Sequence, residues 1–310
     1  SGLGIMITDM NNSAGNEVFV ANDARPNHFW IRGSDDRWSN AADGLGLAHG
    51  FEGLATAAMG IAAGDINRDS RIDLHVTNFR NEPSSLYLQT SGGAYLDSAV
   101  RLGLDRLTRP MVGFGTKMVD FDRDGWLDIA ITNGHVFDRL PEEQTFQMAP
   151  QLIMNHGDHF KLASSNTDKR NEYFSGAYVG RAMVSLDFNR DGKQDLAIGH
   201  LDRELAILRN DTETPGHWLQ LELVGTRSER DAIGAKVSVS YGNEQSQHWT
   251  TAGDGYLCSD EAVIDFGVGL YERVDRIDVV WPSGHTSTLT NLDVDKRYLL
   301  IENQATPHVR

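Results

Sequence analysis

Short apolar runs alternate with polar, glycine-rich breaks along most of the chain, and no stretch repeats its apolar positions at the 3.6-residue helical period. Strand-length apolar segments lie at 18–21, 74–77, 129–132 and 196–199. Each is followed by a second one, at 29–31, 86–88, 152–154 and 205–208. An aromatic residue then leads a small or polar run, at Trp38-x-Asn40-x-Ala42, at Tyr95-x-Asp97-x-Ala99 and, more weakly, at 160–164. Asn22, Asn78, Asn133 and His200 occupy one equivalent position in the four copies. This is an internal repeat of short strands with a period near 55 residues, about one four-stranded propeller blade. The predicted fold is all-β: a partial β-propeller of about four readable blades, then a small β-sandwich.

The repeats share an acidic loop. Its first clear copy is Asp65, Asn67, Asp69, Arg71 and Asp73 at alternate positions; the next is Asp120, Asp122, Asp124, Trp126 and Asp128; the third is Asp187, Asn189, Asp191, Lys193 and Asp195. A degenerate copy opens the chain with Asp9, Asn11, Ser13, Gly15 and Glu17. The starts are 56, 55 and 67 residues apart, and the long interval is explained by about 11 extra residues between His135 and Pro150. Each loop is expected to be the turn of a hairpin within a blade. Oxygen side chains at positions 1, 3, 5 and 9 and a backbone carbonyl at position 7 suit Ca²⁺, which takes six to eight oxygens at about 2.3–2.6 Å. Position 7 is Gly15, Arg71, Trp126 or Lys193, and each would serve through its carbonyl. These are not EF-hands: position 12, where an EF-hand needs glutamate, is Val76, Ile131 or Ile198. Up to three or four calcium ions are expected. The first loop is the weakest, because Ser13 and Glu17 replace aspartates and position 6 is not glycine; the Asp65 loop has Ser70 there.

Charge sharpens this reading. The chain has 28 Lys and Arg against 44 Asp and Glu, a net charge of −16, which argues against a nucleic-acid or anionic-membrane partner. Twelve acids and five bases lie in the four loops, and four calcium ions would halve the net charge of −16. Carboxylates gathered at one point repel unless a cation is bound. No apolar run approaches the ~18 residues of a membrane span. Cys258 is the single cysteine, so no intrachain disulfide forms. The chain starts at Ser1 with no signal peptide in view, so an upstream cut or fragment edge is expected.

The pattern changes after Asn210. Residues 212–216 read as a linker, and seven short strands follow at 218–224, 235–241, 245–251, 262–266, 274–281, 286–289 and 298–301. The expected organisation is 1–212 for the repeats, 213–303 for a second β domain and 304–310 for a tail.

The acidic loops resemble FG-GAP/VCBS repeats, the calcium-loop blades of integrin-α-like propellers, and Phe114-Gly115 ahead of Asp120 fits the name. Such propellers usually have seven blades, which implies an N-terminally truncated fragment. The C-terminal segment is similar to the ASPIC/UnbV domain through His217-Trp218-Leu219, the 230–235 Arg-Asp-Ala-Ile-Gly-Ala run, Gly253-x-Gly255-Tyr256-Leu257, Phe266-Gly267-Val268-Gly269 and Trp281-Pro282-Ser283-Gly284. Together the two parts, with the Asn133-Gly134-His135 turn, resemble the cartilage-acidic-protein-like family. Cys258 stands where that resemblance leads one to expect serine. The resemblance implies a calcium-binding interaction or adhesion module without catalytic activity, secreted, periplasmic or on the cell surface. Its partner would be a protein or glycan outside the cytoplasm. The alternatives are a lectin-like carbohydrate binder, or an accessory protein or enzyme of a biosynthetic pathway.

Evidence for catalysis is thin. The sequence has no P-loop, dinucleotide-binding glycine motif, nucleophile elbow or HExxH zinc motif. His75, His135, His200 and the His156/His159 pair are expected as turn and surface residues, with His200 hydrogen-bonded at a strand end. Arg230 and Asp231 are expected to order their turn. Trp30, Trp38, Tyr87, Tyr95 and Trp126 recur by repeat position and are expected to pack the blades.

Overall fold

The computed structural model describes residues 2–13, 15–139, 141, 145–163 and 172–310. Ser164 and part of the expected insertion lie outside them. The described residues are nearly all β, with three one-turn helices, α1 (Ala42–Leu45), α2 (Leu104–Thr108) and α3 (Glu172–Ser175).

Four sheets follow one another. The first contains β1 (Gly2–Thr8), β2 (Glu17–Asn22), β3 (His28–Arg32) and β4 (Trp38–Asn40). The second contains β5 (Ile61–Gly64), β6 (Asp73–Val76), β7 (Ser85–Gln89) and β8 (Tyr95–Asp97). The third contains β9 (Gly113–Val119), β10 (Asp128–Asn133), β11 (Gln151–Asn155) and β12 (Phe160–Leu162), and the fourth β13 (Gly180–Leu186), β14 (Asp195–His200) and β15 (Ala206–Leu208). Every neighbouring pair is antiparallel, and each acidic loop joins the first two strands of its sheet.

The sheets stack face to face, which explains why their strands are apolar on both sides. Met6, Phe19, Phe29, Leu74, Val76 and Tyr87 fill the space between the first and second sheets. Leu86, Leu88, Leu127, Ile129 and Ile153 fill the next, and Val119, Phe121, Met183, Leu196 and Ile198 the last. The first strands β1, β5, β9 and β13 lie side by side, so successive sheets share an inner edge, as propeller blades do.

The C-terminal part is a two-sheet sandwich around one core that includes Leu221, Val237, Phe266, Ile277, Trp281 and Leu300. One sheet orders β19 (Ile264–Gly269), β16 (His217–Val224), β22 (Lys296–Ile301) and β23 (His308–Val309). The other orders β18 (Glu244–Trp249), β17 (Lys236–Tyr241), β20 (Arg273–Val280) and β21 (Thr286–Asp293). β16 and β22 are parallel, and β23 pairs with β22, so the expected tail ends as a sheet edge.

The segment between β18 and β19 ties the two parts together by crossing all four inner strands. Ala252 pairs with Ile7 of β1 and Gly255 with Ile61 of β5. Lys117 Nζ of β9 donates to Asp254 Oδ1 at 2.8 Å and to Asp260 Oδ2 at 2.5 Å. Cys258 Sγ donates to Met183 O of β13 at 3.2 Å, and Ser185 N–H donates to Asp260 Oδ1 at 2.8 Å. The glycines of this segment have a physical reason: Gly253 and Gly255 hold φ of +82° and +86°, and a Cβ on Gly253 would sit 2.3 Å from Ile5 O.

Candidate metal-binding loops

The three clear loops fold alike. The position-1 aspartate uses both oxygens to accept backbone N–H groups: Asp65 from Asp69 and Ser70 (both 2.8 Å), Asp120 from Asp124 (3.1 Å) and Gly125 (2.9 Å), Asp187 from Asp191 (3.1 Å) and Gly192 (2.9 Å). Asn67, Asp122 and Asn189 at position 3 accept from the position-5 N–H at 3.1, 3.4 and 3.2 Å. Asp69, Asp124 and Asp191 accept from the position-7 N–H of Arg71, Trp126 and Lys193 at 3.1, 2.8 and 2.9 Å. The ninth-position aspartate closes the loop and braces the next strand: Asp73 accepts from Ile66 and Gln89, Asp128 from Phe121 and Asn155, Asp195 from Phe188 and Asn210.

Two left-handed residues make the tight coil. Position 4 is Arg68, Arg123 or Arg190 at φ near +60°. Position 6 is Ser70, Gly125 or Gly192 at φ of +64°, +90° and +81°, so Ser70 takes a conformation that suits glycine. The opening copy shares the plan: Met10 N–H donates to Glu17 Oε2 at 2.8 Å, Asn12 N–H to Asp9 Oδ1 at 2.7 Å and Ser13 N–H to Asn11 Oδ1 at 2.7 Å, with Asn12 at φ +57°. Glu17 thus stands where the others have aspartate. Gly15 is at φ +108° with open space about its Cα.

The Asp120 loop is the best-formed candidate. Ligand oxygens of Asp120, Asp122 and Asp124 lie within 4.8 Å of one another. Burial pushes Asp120 up to about 7 and Asp128 up to about 8, and neighbouring carboxylates add to both. Burial likewise raises Asp65 to about 6, Asp73 to about 8 and Glu17 to about 7, and raises Asp9, Asp122 and Asp195. Acids held this way favour a cation that neutralises them, and the oxygen-only donor set suits a hard divalent ion. The Asp65 and Asp187 loops replace one carboxylate with an amide, and Arg71 pairs with Asp69.

Sequence reasoning did not foresee where the loops point: all four face the sandwich. Lys236 Nζ donates to Asn12 Oδ1 at 2.7 Å and Asn16 Nδ2 to Ile233 O at 2.9 Å. Arg68 pairs with Glu244 at 2.5 Å, and Gln247 Nε2 donates to Ser70 O at 2.9 Å. The Arg123 guanidinium lies over Trp218 at 5.8 Å, and Gln220 Nε2 donates to Asp187 Oδ2 and Asp265 Oδ1, both at 3.1 Å. A cavity of about 320 Å³ between the two parts is lined by Asp120, Asp231, Asp254, Asp260 and Asp265 among others. These contacts are long-range, so no local spacing in the sequence marks them.

Several other expectations need correction. His75 is a strand residue of β6, wholly buried, with Nδ1 bonded to Thr116 Oγ1 at 2.8 Å; burial lowers its pKa to about 3. His135 is also buried. His200 does bond at its strand end, to Glu204 O and Tyr173 Oη, while His156 and His159 place their rings 5.1 Å apart. The 229–233 turn is held by Glu229, which accepts from the N–H groups of Asp231 and Ile233, instead of by an Arg230–Asp231 pair. Tyr87 and Tyr95 are buried in the core between the first two sheets, Trp30 and Trp126 are half-buried, and Trp38 is 48% exposed.

The fold and loops define a class: an all-β chain of acidic-loop sheets followed by a two-sheet sandwich. Residues 225–307 match the family model described as ASPIC and UnbV. Over most of its length the chain is similar to cartilage acidic protein 1. It is 28% identical to the Xenopus tropicalis protein over 296 residues, 93% of this chain and 42% of that one. The Homo sapiens protein is 28% identical over 291 residues, 91% of this chain and 41% of that one. The chain therefore spans about two fifths of these relatives' length. Among solved structures it is similar to an Agrocybe aegerita lectin that recognises non-reducing terminal N-acetylglucosamine, at 14% identity and a TM-score of 0.34, over 68% of this chain and 54% of that one. No helix among the described residues is long and apolar enough to cross a membrane.

Proposed function

We propose that this chain is a calcium-binding, non-catalytic interaction module that works outside the cytoplasm, whether secreted, periplasmic or on the cell surface. Its repeats are FG-GAP/VCBS-type propeller blades, and its partner is a protein or glycan. The observation that carries the reading is the Asp120 loop, where carboxylates converge and burial raises both Asp120 and Asp128. The Asp65 and Asp187 loops repeat its geometry, and the Asp9 loop approximates it. The relationship to cartilage acidic protein 1 supports the setting, since that name places the relative in cartilage and calls it acidic. Asp120, Asp122, Asp124, Asp128 and the Trp126 carbonyl would hold one ion, with corresponding sets in the other loops. The ion would neutralise the loop carboxylates and so fix the blade turns.

Thermal melts in calcium, in magnesium and in chelator test this. A site bound at about 100 times its dissociation constant adds about 2.7 kcal/mol. An upward shift of several degrees in calcium, with little in magnesium, is expected. Identical midpoints in calcium and chelator would reduce the loops to acidic turns and remove the basis of the reading.

A further inference from the structure

The end of the blades opposite the acidic loops carries a different chemistry. Arg80 follows the end of β6, His135 follows β10, and Arg181 opens β13. In a chain with 44 acids and 28 bases, neither arginine makes an ion pair among the described residues. Arg80 makes no hydrogen bond there either, and its Nε is buried without a partner. The Arg181 guanidinium stacks on Phe114 at 3.9 Å and donates only to carbonyls, those of Gly134 (3.2 Å), Gly180 (2.7 Å) and His135 (2.9 Å). It thereby fixes the His135 turn. A half-buried cation with no counter-charge among the described residues is a desolvation cost that a bound anion would offset.

His135 lies close by, its ring 5.3 Å from that of Phe79, the residue before Arg80. Its Nδ1 accepts the Phe137 N–H at 3.1 Å, so the neutral ring carries its hydrogen on Nε2 and is a donor there. Burial, with the charges of Arg80 and Arg181, lowers the pKa of the ring from its ordinary value. Aromatic surface flanks it: Phe79 stands edge-on at 5.3 Å and Phe137 at 5.8 Å, the latter 63% exposed beside the 43% exposed Val136. We propose that Arg80 and His135, held in place by Arg181, bind an oxyanion, a carboxylate or a sulfate group, carried on a ligand with an apolar or ring face. The guanidinium fork and the imidazole N–H supply the charge-assisted hydrogen bonds, and Phe79 and Phe137 supply the apolar wall. This site is independent of the acidic loops, which lie at the other end of the strands.

The test is an NMR titration of the full chain, following the Arg80 Nε–H and His135 Nε2–H resonances. Sodium sulfate and sodium benzoate are added separately, against sodium chloride at matched ionic strength. The expected result is saturable binding of sulfate, benzoate or both, absent with chloride, and weakened at least about fivefold in Arg80→Gln and in His135→Gln. Saturation by benzoate alone assigns a carboxylate on a ring, and by sulfate alone a sulfate group. Equal responses to all three salts, or wild-type binding in Arg80→Gln, would overturn the proposal. Should Arg80→Gln not fold, Arg80→Lys retains the charge and loses the fork: weaker binding supports the site, and unchanged binding refutes it.

Discussion

Lys117→Met tests what holds the sandwich to the N-terminal sheets. Lys117 is the one basic residue of β9, its side chain 2% exposed, and it reaches both Asp254 and Asp260, which are 17% and 22% exposed. Methionine preserves the unbranched bulk and deletes the charge. Two carboxylates would then face each other in a poorly solvated seam, although Asp260 would still accept the Ser185 N–H. Removing one partner of such a buried group costs about 3–5 kcal/mol, because an uncompensated charge remains. At about 2–4 °C per kcal/mol for a chain of this size class, the midpoint should fall by roughly 6–20 °C. The assay is a thermal melt at neutral pH with limited proteolysis of the 250–262 segment as a second readout. Adding Asp254→Asn and Asp260→Asn removes the stranded charges, so the triple variant should recover most of the loss. A fall within about 1 kcal/mol for Lys117→Met, the range of an ordinary surface change, would refute the reasoning. So would a triple variant less stable than the single one.

Three further outcomes follow from the same geometry. Asp124→Ala should lower calcium stoichiometry by one ion in equilibrium dialysis by removing a position-5 oxygen; unchanged stoichiometry would sink that ligand assignment. Gly192→Ala should cost about 2–4 kcal/mol in denaturant melts, because φ is +81° and the new Cβ would lie 2.0 Å from the Trp218 ring, whereas Gly15→Ala, at φ +108° in open space, should cost only about 1–2 kcal/mol. Equal losses would show that the Trp218 contact is not close. Burial lowers His248 to about 4, below the ordinary 6.5, so the unfolded state binds its proton first and stability falls as pH drops from about 6.5 to about 4. His248→Gln should flatten that limb by at most about 1.4 kcal/mol per pH unit; an unchanged pH profile would show the ring is solvated.

What the sequence made legible was local, and what it hid was long-range. The acidic loops are coded within nine residues, so their spacing announced them, down to Glu17 standing in for aspartate. Sandwich strand β17 was legible too, because Val237, Val239 and Tyr241 alternate with Lys236, Ser238 and Ser240 at period two. The inner strands were harder: β5 is Ile-Ala-Ala-Gly, four small or branched residues with no alternation, because both its faces and its edge are covered. His75 was misplaced for a related reason. A histidine in an apolar strand gives no sign of which face it takes, and only the Thr116 hydroxyl opposite it makes burial tolerable.

The same distinction explains the 251–261 segment. Read alone, Thr-Ala-Gly-Asp-Gly-Tyr-Leu-Cys-Ser-Asp-Glu is a polar, glycine-rich loop that joins two strands of the sandwich. Its composition makes sense once the four inner strands lie beneath it. Gly253 and Gly255 let backbone meet backbone, Asp254 and Asp260 answer Lys117, and Cys258 offers Met183 a donor. None of these partners lies within 60 residues in sequence, so no spacing rule could have joined them. The loop that looked least structured is the part that fixes how the two β units meet. Because the acidic loops lie on that same seam, mutations at Lys117 and at Asp124 should be read together: one removes the bridge at the inner edge, the other disturbs the turns beneath the sandwich.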